Sequence, residues 1–350
     1  MQYLLPAIIA FLLTVLGTWA AIRVFPRLGL IDRPEKYGLT RAPIPYPGGI
    51  VVLLAFLITI LIFFELDVKL IGLLTSSCLL VAISFWDDRH PLPPLVRLLA
   101  QTIAAFVLVL SGIGILSITN PLGGMIVLDH TFWKFSIGSF HFNIALWSAF
   151  FTVVWLVILI NAMNWLDGVS GLPTGMTAIG AVIIFFLSIS PLVHQPEVAK
   201  LALVVAAVSF GFWLFDFYPP KILIGDSGAM LLGLLLASLA IFSGGKVATA
   251  FLVLGFPILD ALYVGVTRLL HKQAPWRGGE WERERKAVHL HHRLLKAGLS
   301  PRQVLLFLYF FSAFFGILAL FLETRGKFFA FLLMFGLMAV MGFVLRKKTP

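Results

Sequence analysis

AFFTVVWLVILINAMNWLDGVSGL, from Ala149 to Leu172, decides what kind of molecule this is. Its first half is apolar and uncharged, and its second half brings two Asn, an Asp, a Ser and two Gly. A run of that character crosses a bilayer as helix, and the polar residues come where it leaves the hydrocarbon. Asn161, Asn164 and Asp167 recur at a spacing of three, which predicts a polar stripe along the last helical turns. Gly168 and Gly171 let the backbone turn tightly and approach a ligand closely. The stretch therefore reads as a stripe aimed into a shared cleft with a glycine-lined exit. Helix capping by the Asn residues and termination by the glycines explains the glycines but not the repeat.

The rest of the chain repeats this pattern. Of 350 residues, 60% are hydrophobic and 12% charged, a balance that a soluble domain of this size does not need. Eleven apolar runs are expected to form membrane helices, at about 3–22, 48–65, 70–86, 95–116, 146–161, 174–191, 198–215, 228–243, 247–267, 303–322 and 327–345. The fold class is thus an all-α polytopic membrane protein, one integral domain over residues 1–350. The first run is expected to stay as a helix, since no Lys or Arg precedes Arg23 and no small-residue cleavage site follows. The single Cys, Cys78, lies inside an apolar run, which leaves neither a disulfide framework nor a Cys-based zinc site.

Positive charge sets the orientation. With the N-terminus outside and the C-terminus cytoplasmic, twenty of the 26 Lys and Arg fall inside, leaving Lys69, Lys134, Lys200, Lys246, Arg325 and Lys327 outside. The net charge of +10 is then an inner-surface feature suited to membrane lipids or anionic substrates. Nucleic acid is a poor reading, because no basic soluble module exists to hold it. The polar clusters share that side, in cytoplasmic loops at about 23–47, 87–94, 162–173, 216–227 and 268–302. The outer connections are short and bland except 117–145, whose alternating apolar residues and Gly-Gly suggest a hairpin or an interfacial segment.

Each loop brings its own chemistry. Asp87 and Asp88 sit where a helix reaches the headgroups, and adjacent acids there repel unless a cation or proton intervenes. Hard oxygen ligands of this kind suit Mg²⁺ or Mn²⁺, completed by phosphate oxygens and water; two solvated acids at a helix end are the plainer reading. In KILIGDSG, Asp226 opens a helix whose N–H groups attract phosphate, with Lys221 five residues earlier; a simple N-cap competes. His289, His291, His292 and Arg293 suit phosphate or sugar oxygens better than zinc. The segment from Trp276 to Lys286 reads as a lid or interfacial helix. Arg97 and Gln101 share a helix face behind the Asp pair, and Asp260 lies deep in an apolar run, where an unpaired carboxylate is costly.

Taken together, PxPxxGG, DDR, NxxNxxDGxxGL, KIxxGDSG and HxHHRLL, in this order over about residues 20 to 310, resemble the polyprenyl-phosphate N-acetylhexosamine-1-phosphate transferases. The resemblance implies transfer of a sugar 1-phosphate from a UDP-sugar to undecaprenyl phosphate, release of UMP, a Mg²⁺ requirement and a place in the bacterial inner (plasma) membrane. It implies catalytic roles for Asp87, Asp88, Asp167 and Asp226, with Asp226, Asp87 and Asp88 at the metal. It places Asn161, Asn164, Gly168, Ser170, Asp216 and the His loop at the donor, with Arg41, Lys221, His291, His292 and Arg293 neutralising phosphate charge. Asp87 is the expected recipient of any proton left on the lipid phosphate, and a covalent Asp phosphate is the competing route.

Three departures stand out. The glycine motif of such enzymes often reads DGxDGL, whereas Ser170 replaces the second Asp here, and Asp216 stands where an Asn is common. Asp216 is expected to supply the acceptor lost at Ser170 while uridine is retained. APWRGGEWERERKAV replaces the usual run ahead of the His motif, at a loop associated with sugar choice. IPYPGG and HLHH lean toward UDP-GlcNAc or a related UDP-N-acetylhexosamine, feeding O-antigen, teichoic acid or another surface polymer. The alternative is a phospho-MurNAc-pentapeptide transferase. A transporter fits less well, because transport acids sit near the midplane and not at helix ends on one side. The sequence leaves a homodimer open.

Overall fold

The structure, a computed structural model, describes residues 1–37, 41–120, 123–138, 140–191, 193–244, 251–252, 254–270 and 289–348. Each of the eleven apolar runs overlaps a helix in its described residues: α1 (Leu4–Val24), α2 (Gly49–Phe63), α3 (Val68–Arg89), α4 (Pro94–Leu110), α5 (Leu146–Leu166), α6 (Leu172–Ile189), α7 (Pro196–Asp216), α8 (Gly225–Phe242), α9 (Gly255–Leu270), α11 (Pro301–Phe321) and α12 (Thr324–Lys348). A short α10 (Leu290–Lys296) carries the His motif. Among the described residues eight helices are long and apolar enough to cross a membrane, while Gly49–Phe63, Pro94–Leu110 and Gly255–Gly265 are apolar but shorter. The molecule is a multi-span helical membrane protein. The lid or interfacial helix expected at Trp276 to Lys286 lies outside the described residues.

Helix starts follow local chemistry. Pro occupies the first turns of α4, α6, α7 and α11, where its missing N–H would have had no helical partner. Asp67 caps α3 by accepting from Leu70 N at 2.7 Å, and Ser300 with Gln303 forms a capping box on α11. Both α3 and α5 run further than their apolar stretches, to Arg89 and Leu166. Asp87, Asp88, Asn161 and Asn164 consequently sit on helix and not in loops.

The central element is α8, in which every residue except Asp226 and Phe242 is buried. It packs against α2, α3, α5, α6 and α7. Small residues permit this closeness, as membrane helices without a hydrophobic drive between them require. A Cβ on Gly49 of α2 would lie 2.3 Å from the Gly228 amide, and one on Gly233 would lie 2.8 Å from Ile160 Cα of α5. The start of α8, and Asp226 with it, is thereby fixed against its neighbours.

Segment 117–145 departs from an all-α description, as its alternation predicted. It forms two antiparallel pairs, β1 (Ser117–Thr119) with β2 (Met125–Val127) and β3 (Phe132–Ile137) with β4 (Phe140–Ala145). Gly123 and Gly124, at φ 124° and 81°, supply the left-handed backbone next to β2.

Candidate active site

The first-loop motif is held to the α7–α8 connection by backbone pairing. Gly48 N donates to Leu223 O at 2.8 Å, Gly49 N to Ile224 O at 2.9 Å, and Leu223 N to Pro45 O at 3.0 Å. This pairing sets Tyr46 beside α3, where its hydroxyl donates to Asp88 Oδ1 at 2.5 Å. Asp88 also accepts from Asp226 N at 3.0 Å and Ser227 N at 3.2 Å. A carboxylate from another helix thus caps α8, and the two amides expected to await a phosphate are already engaged. Gly225, at φ 76°, is required here, because a Cβ would lie 2.6 Å from Pro47 Cβ and 3.2 Å from Asp88 Oδ2. Burial, then the charges of Asp88 and Asp226, push the Tyr46 phenol far above its usual range.

Asp87 turns away from Asp88, which relieves the repulsion expected of adjacent acids. Its Oδ1 accepts from Leu92 N at 2.6 Å, and its Oδ2 lies 3.3 Å from Arg97 Nη1. The same Arg97 nitrogen is 3.4 Å from Asp226 Oδ2. One guanidinium from α4 therefore bridges Asp87 and Asp226. Asp226 keeps about a third of its side chain exposed, against 5% for Asp87, so it is the carboxylate of this group open to the cleft.

The NxxNxxD stripe divides. Three residues advance a helix by about 300°, so Asn161 and Asp167 end roughly 120° apart. Asn161 faces the bundle, donating to Gln101 Oε1 at 2.6 Å and to Val157 O at 2.8 Å. Asn164 Nδ2 is buried without a partner among the described residues. Asp167, at the C-cap of α5, is partly exposed. Burial first, then the neighbouring carboxylates of Asp216, Asp226 and Asp88, hold its carboxyl well above the usual range. That influence ties the α5 exit electrostatically to the α3–α8 group.

Beyond Asp167 the chain turns through Gly171, at φ 91°. Asp216, fully buried at the end of α7, accepts from Gly171 N and Thr174 Oγ1, both at 3.0 Å, through Oδ2, while its Oδ1 has no partner among the described residues. Tyr309 of α11 donates to Gly171 O and accepts from Trp213 Nε1 at 3.0 Å. Its ring fills the space left by Gly175, where a Cβ would lie 2.3 Å away. Ser170 is partly exposed beside this turn.

The His motif closes the cleft from α10. A Cβ on Gly168 would lie 2.9 Å from both His291 Nε2 and His292 Nε2, so the glycine exit and the histidines touch. His291 is fully buried, and neither ring nitrogen has a partner among the described residues. Burial, then His292 and His289, hold its pKa well below the usual range and keep it neutral. His289 stacks on His291 at 5.5 Å and reaches the Trp165 ring at 5.8 Å.

The structure thus gathers Asp87, Asp88, Asp226, Asp167, Asn164, Gly168, His289, His291 and His292 at one end of the bundle. Other expected residues point elsewhere. Arg41 pairs with Asp32 inside the first loop, Lys221 is exposed, and Arg293 donates to Tyr263 Oη at 3.1 Å and Gly342 O at 3.4 Å, joining α10 to α9 and α12. Tyr46, Trp213 and Tyr309 escaped the sequence reading. Tyr46 had a signal in PxPxxGG, whereas Tyr309 and Trp213 are single aromatic residues in apolar runs. Among the described residues no three His, Cys, Asp or Glu side chains form a ready-made metal cage.

Glycosyl transferase family 4 matches residues 70–244, half of the chain. Over 330 residues, 91% of this chain and 84% of the relative, the sequence is 28% identical to the probable undecaprenyl-phosphate N-acetylglucosaminyl 1-phosphate transferase of Bacillus subtilis strain 168. It is 30% identical over 317 residues to the decaprenyl-phosphate N-acetylglucosaminephosphotransferase of Mycobacterium leprae strain TN, covering 81% and 74% of the two chains. The phospho-N-acetylmuramoyl-pentapeptide-transferase of Carboxydothermus hydrogenoformans is 26% identical over 294 residues, 80% of this chain and 85% of that one.

Proposed function

The chain belongs to glycosyl transferase family 4, and from that membership we propose that it transfers N-acetylglucosamine 1-phosphate from UDP-GlcNAc to undecaprenyl phosphate, releasing UMP, in the bacterial plasma membrane. An oxygen of the lipid phosphate attacks the sugar-bearing phosphorus, and the bond from that phosphorus to the UMP oxygen breaks. Anions must be brought together and held in line, so the protein's task is charge neutralisation and positioning. The observation that carries the reading is the meeting of two groups from distant loops. The Asp226–Arg97–Asp87 bridge and the neutral His291, unpartnered among the described residues beside Gly168, are linked through Asp167, which feels the Asp226 charge and precedes Gly168, and buried ring nitrogens without partners call for a ligand.

Asp226 is the residue to hold Mg²⁺, or Mn²⁺ in its place. The donor set fits such an ion: the carboxylates around Asp167 leave the cleft short of positive charge, and Mg²⁺ takes one or two carboxylates with phosphates and water and needs no protein cage. When bound, the ion supplies neutralisation of phosphate oxygens. Asp88 keeps Asp226 in place through its backbone, and Arg97 holds Asp87 and Asp226 in register. Both oxygens of Asp87 are taken by Leu92 and Arg97, so the proton left on the lipid phosphate is assigned to Asp167, whose carboxyl readily holds one. Asn164, His289, His291 and His292 meet the nucleotide sugar, and Asp216 sets the Gly171 turn beside it.

The test is UMP release by detergent-purified protein given undecaprenyl phosphate, Mg²⁺ and, separately, UDP-GlcNAc, UDP-GalNAc or UDP-MurNAc-pentapeptide. Release from UDP-GlcNAc alone, abolished by Asp226→Asn, is expected. Release from the pentapeptide donor alone would move the protein to the peptidoglycan reaction.

A further inference from the structure

Behind the His motif lies a carboxylate that no step of the proposed reaction uses. Asp260 stands in the middle of α9 and is 4% exposed. Its Oδ2 lies 2.7 Å from His289 Nδ1, and its Oδ1 accepts from Leu290 N at 2.8 Å. A buried carboxylate is tolerated only when donors meet it, and here both oxygens are met. The two bonds do different work. The bond to Leu290 satisfies an N–H of the first turn of α10, which a purely structural tie would also do. The bond to His289 places the proton on Nδ1 and makes Nε2, across the ring, the edge left for a ligand.

His289 is in turn stacked on His291 with their planes 18° apart, and His291 lies against Gly168 of the α5 exit. A chain of contacts therefore runs from Asp260 through two imidazoles to the residue after Asp167. We propose that Asp260 is a positioning residue of the donor site, fixing the tautomer and ring orientation of His289 so that the three histidines meet the phosphates of the nucleotide sugar as one preorganised unit. The assignment rests on the reading of a UDP-sugar donor, but the tautomer it requires does not.

The experiment uses the full chain, labelled with ¹⁵N at histidine and reconstituted in lipid nanodiscs, with His289 assigned by its loss in His289→Gln. The wild type is expected to show a protonated Nδ1 at His289, and a bare Nδ1 would overturn the proposal without any turnover. Asp260→Asn is expected to raise the KM for UDP-GlcNAc about tenfold, the loss of one charge-assisted hydrogen bond, with the KM for undecaprenyl phosphate unchanged. Asp260→Glu is expected to restore most of that loss. A lowered melting temperature with an unmoved donor KM would reduce Asp260 to a helix tie and sink the proposal. Silence of the wild type with every UDP-sugar would defeat the transferase reading instead, while the nitrogen signals would still decide the pair.

Discussion

At the scale of single residues, Asp167 has the environment with the clearest consequence. Its carboxyl is held above the usual range by burial and by Asp216, Asp226 and Asp88, with His291 and His292 against the adjoining Gly168. The unfolded chain releases this proton near the ordinary aspartate value of about 3.9, whereas the folded chain keeps it to higher pH. Between the two values the native state binds more protons than the unfolded one, so the contribution to stability falls as pH rises and stops falling above the folded value. Asp167→Asn removes that loss. In metal-free buffer the variant is expected to melt above the wild type, by a margin wider at pH 8 than at pH 5, and to lose about a hundredfold or more in turnover. Equal margins at the two pH values would mean that the carboxylate is not crowded. Asp87, Asp88, Asp226, Asp167 and the histidines were legible because ionisable groups at helix ends are costly and chemically marked. The division of Asn161 from Asp167 was not, because a spacing of three reads as a stripe only until the drift of the helix is followed to the partner Gln101.

At the scale of elements, the helices under the apolar runs were legible from apolar length, whereas their closeness was not. Whether a glycine faces solvent, lipid or another backbone is decided by tertiary packing. Gly49 and Gly336 are both helical, yet a Cβ at Gly49 would lie 2.3 Å from the Gly228 amide, while one at Gly336 meets nothing within 4 Å. Gly49→Ala must therefore push α2 away from α8, whose first turn carries Asp226 and is capped by Asp88. Overpacking against rigid backbone costs about 1 to 3 kcal/mol. The variant is expected to show a lowered melting temperature in detergent and reduced UMP release, because the same contact seats the site. Gly336→Ala is expected to melt at or slightly above the wild type, alanine being the better helix former by about 1 kcal/mol. Similar behaviour of the two variants would show that α2 is free to shift against α8.

At the scale of the whole molecule, the open question is which way the bundle faces. The ends of α3, α5 and α7 and the starts of α4, α6 and α8 carry the site, and two further segments, 23–47 with Tyr46 and 268–302 with the His motif, hold fourteen of the 26 Lys and Arg. The hairpins β1–β2 and β3–β4 join the opposite ends of α4 and α5. Retention of positive charge on the cytoplasmic side then puts the site inside and the hairpins outside, with a fixed spatial relation between them that one labelling experiment can read. In a Cys78→Ser background, which removes the only native thiol, Met125→Cys places a thiol on β2 at a position 64% exposed, and Lys296→Cys places one at the exposed end of α10. A membrane-impermeant maleimide applied to intact cells is expected to label the first and to reach the second only after permeabilisation. The reverse pattern would turn the charge argument over and put the cleft on the outer face, away from the cytoplasmic pool of nucleotide sugars. Labelling of both in intact cells would mean that α9, the shorter helix between residues 125 and 296, does not cross, since an odd number of missing crossings between those residues brings the two thiols to one side.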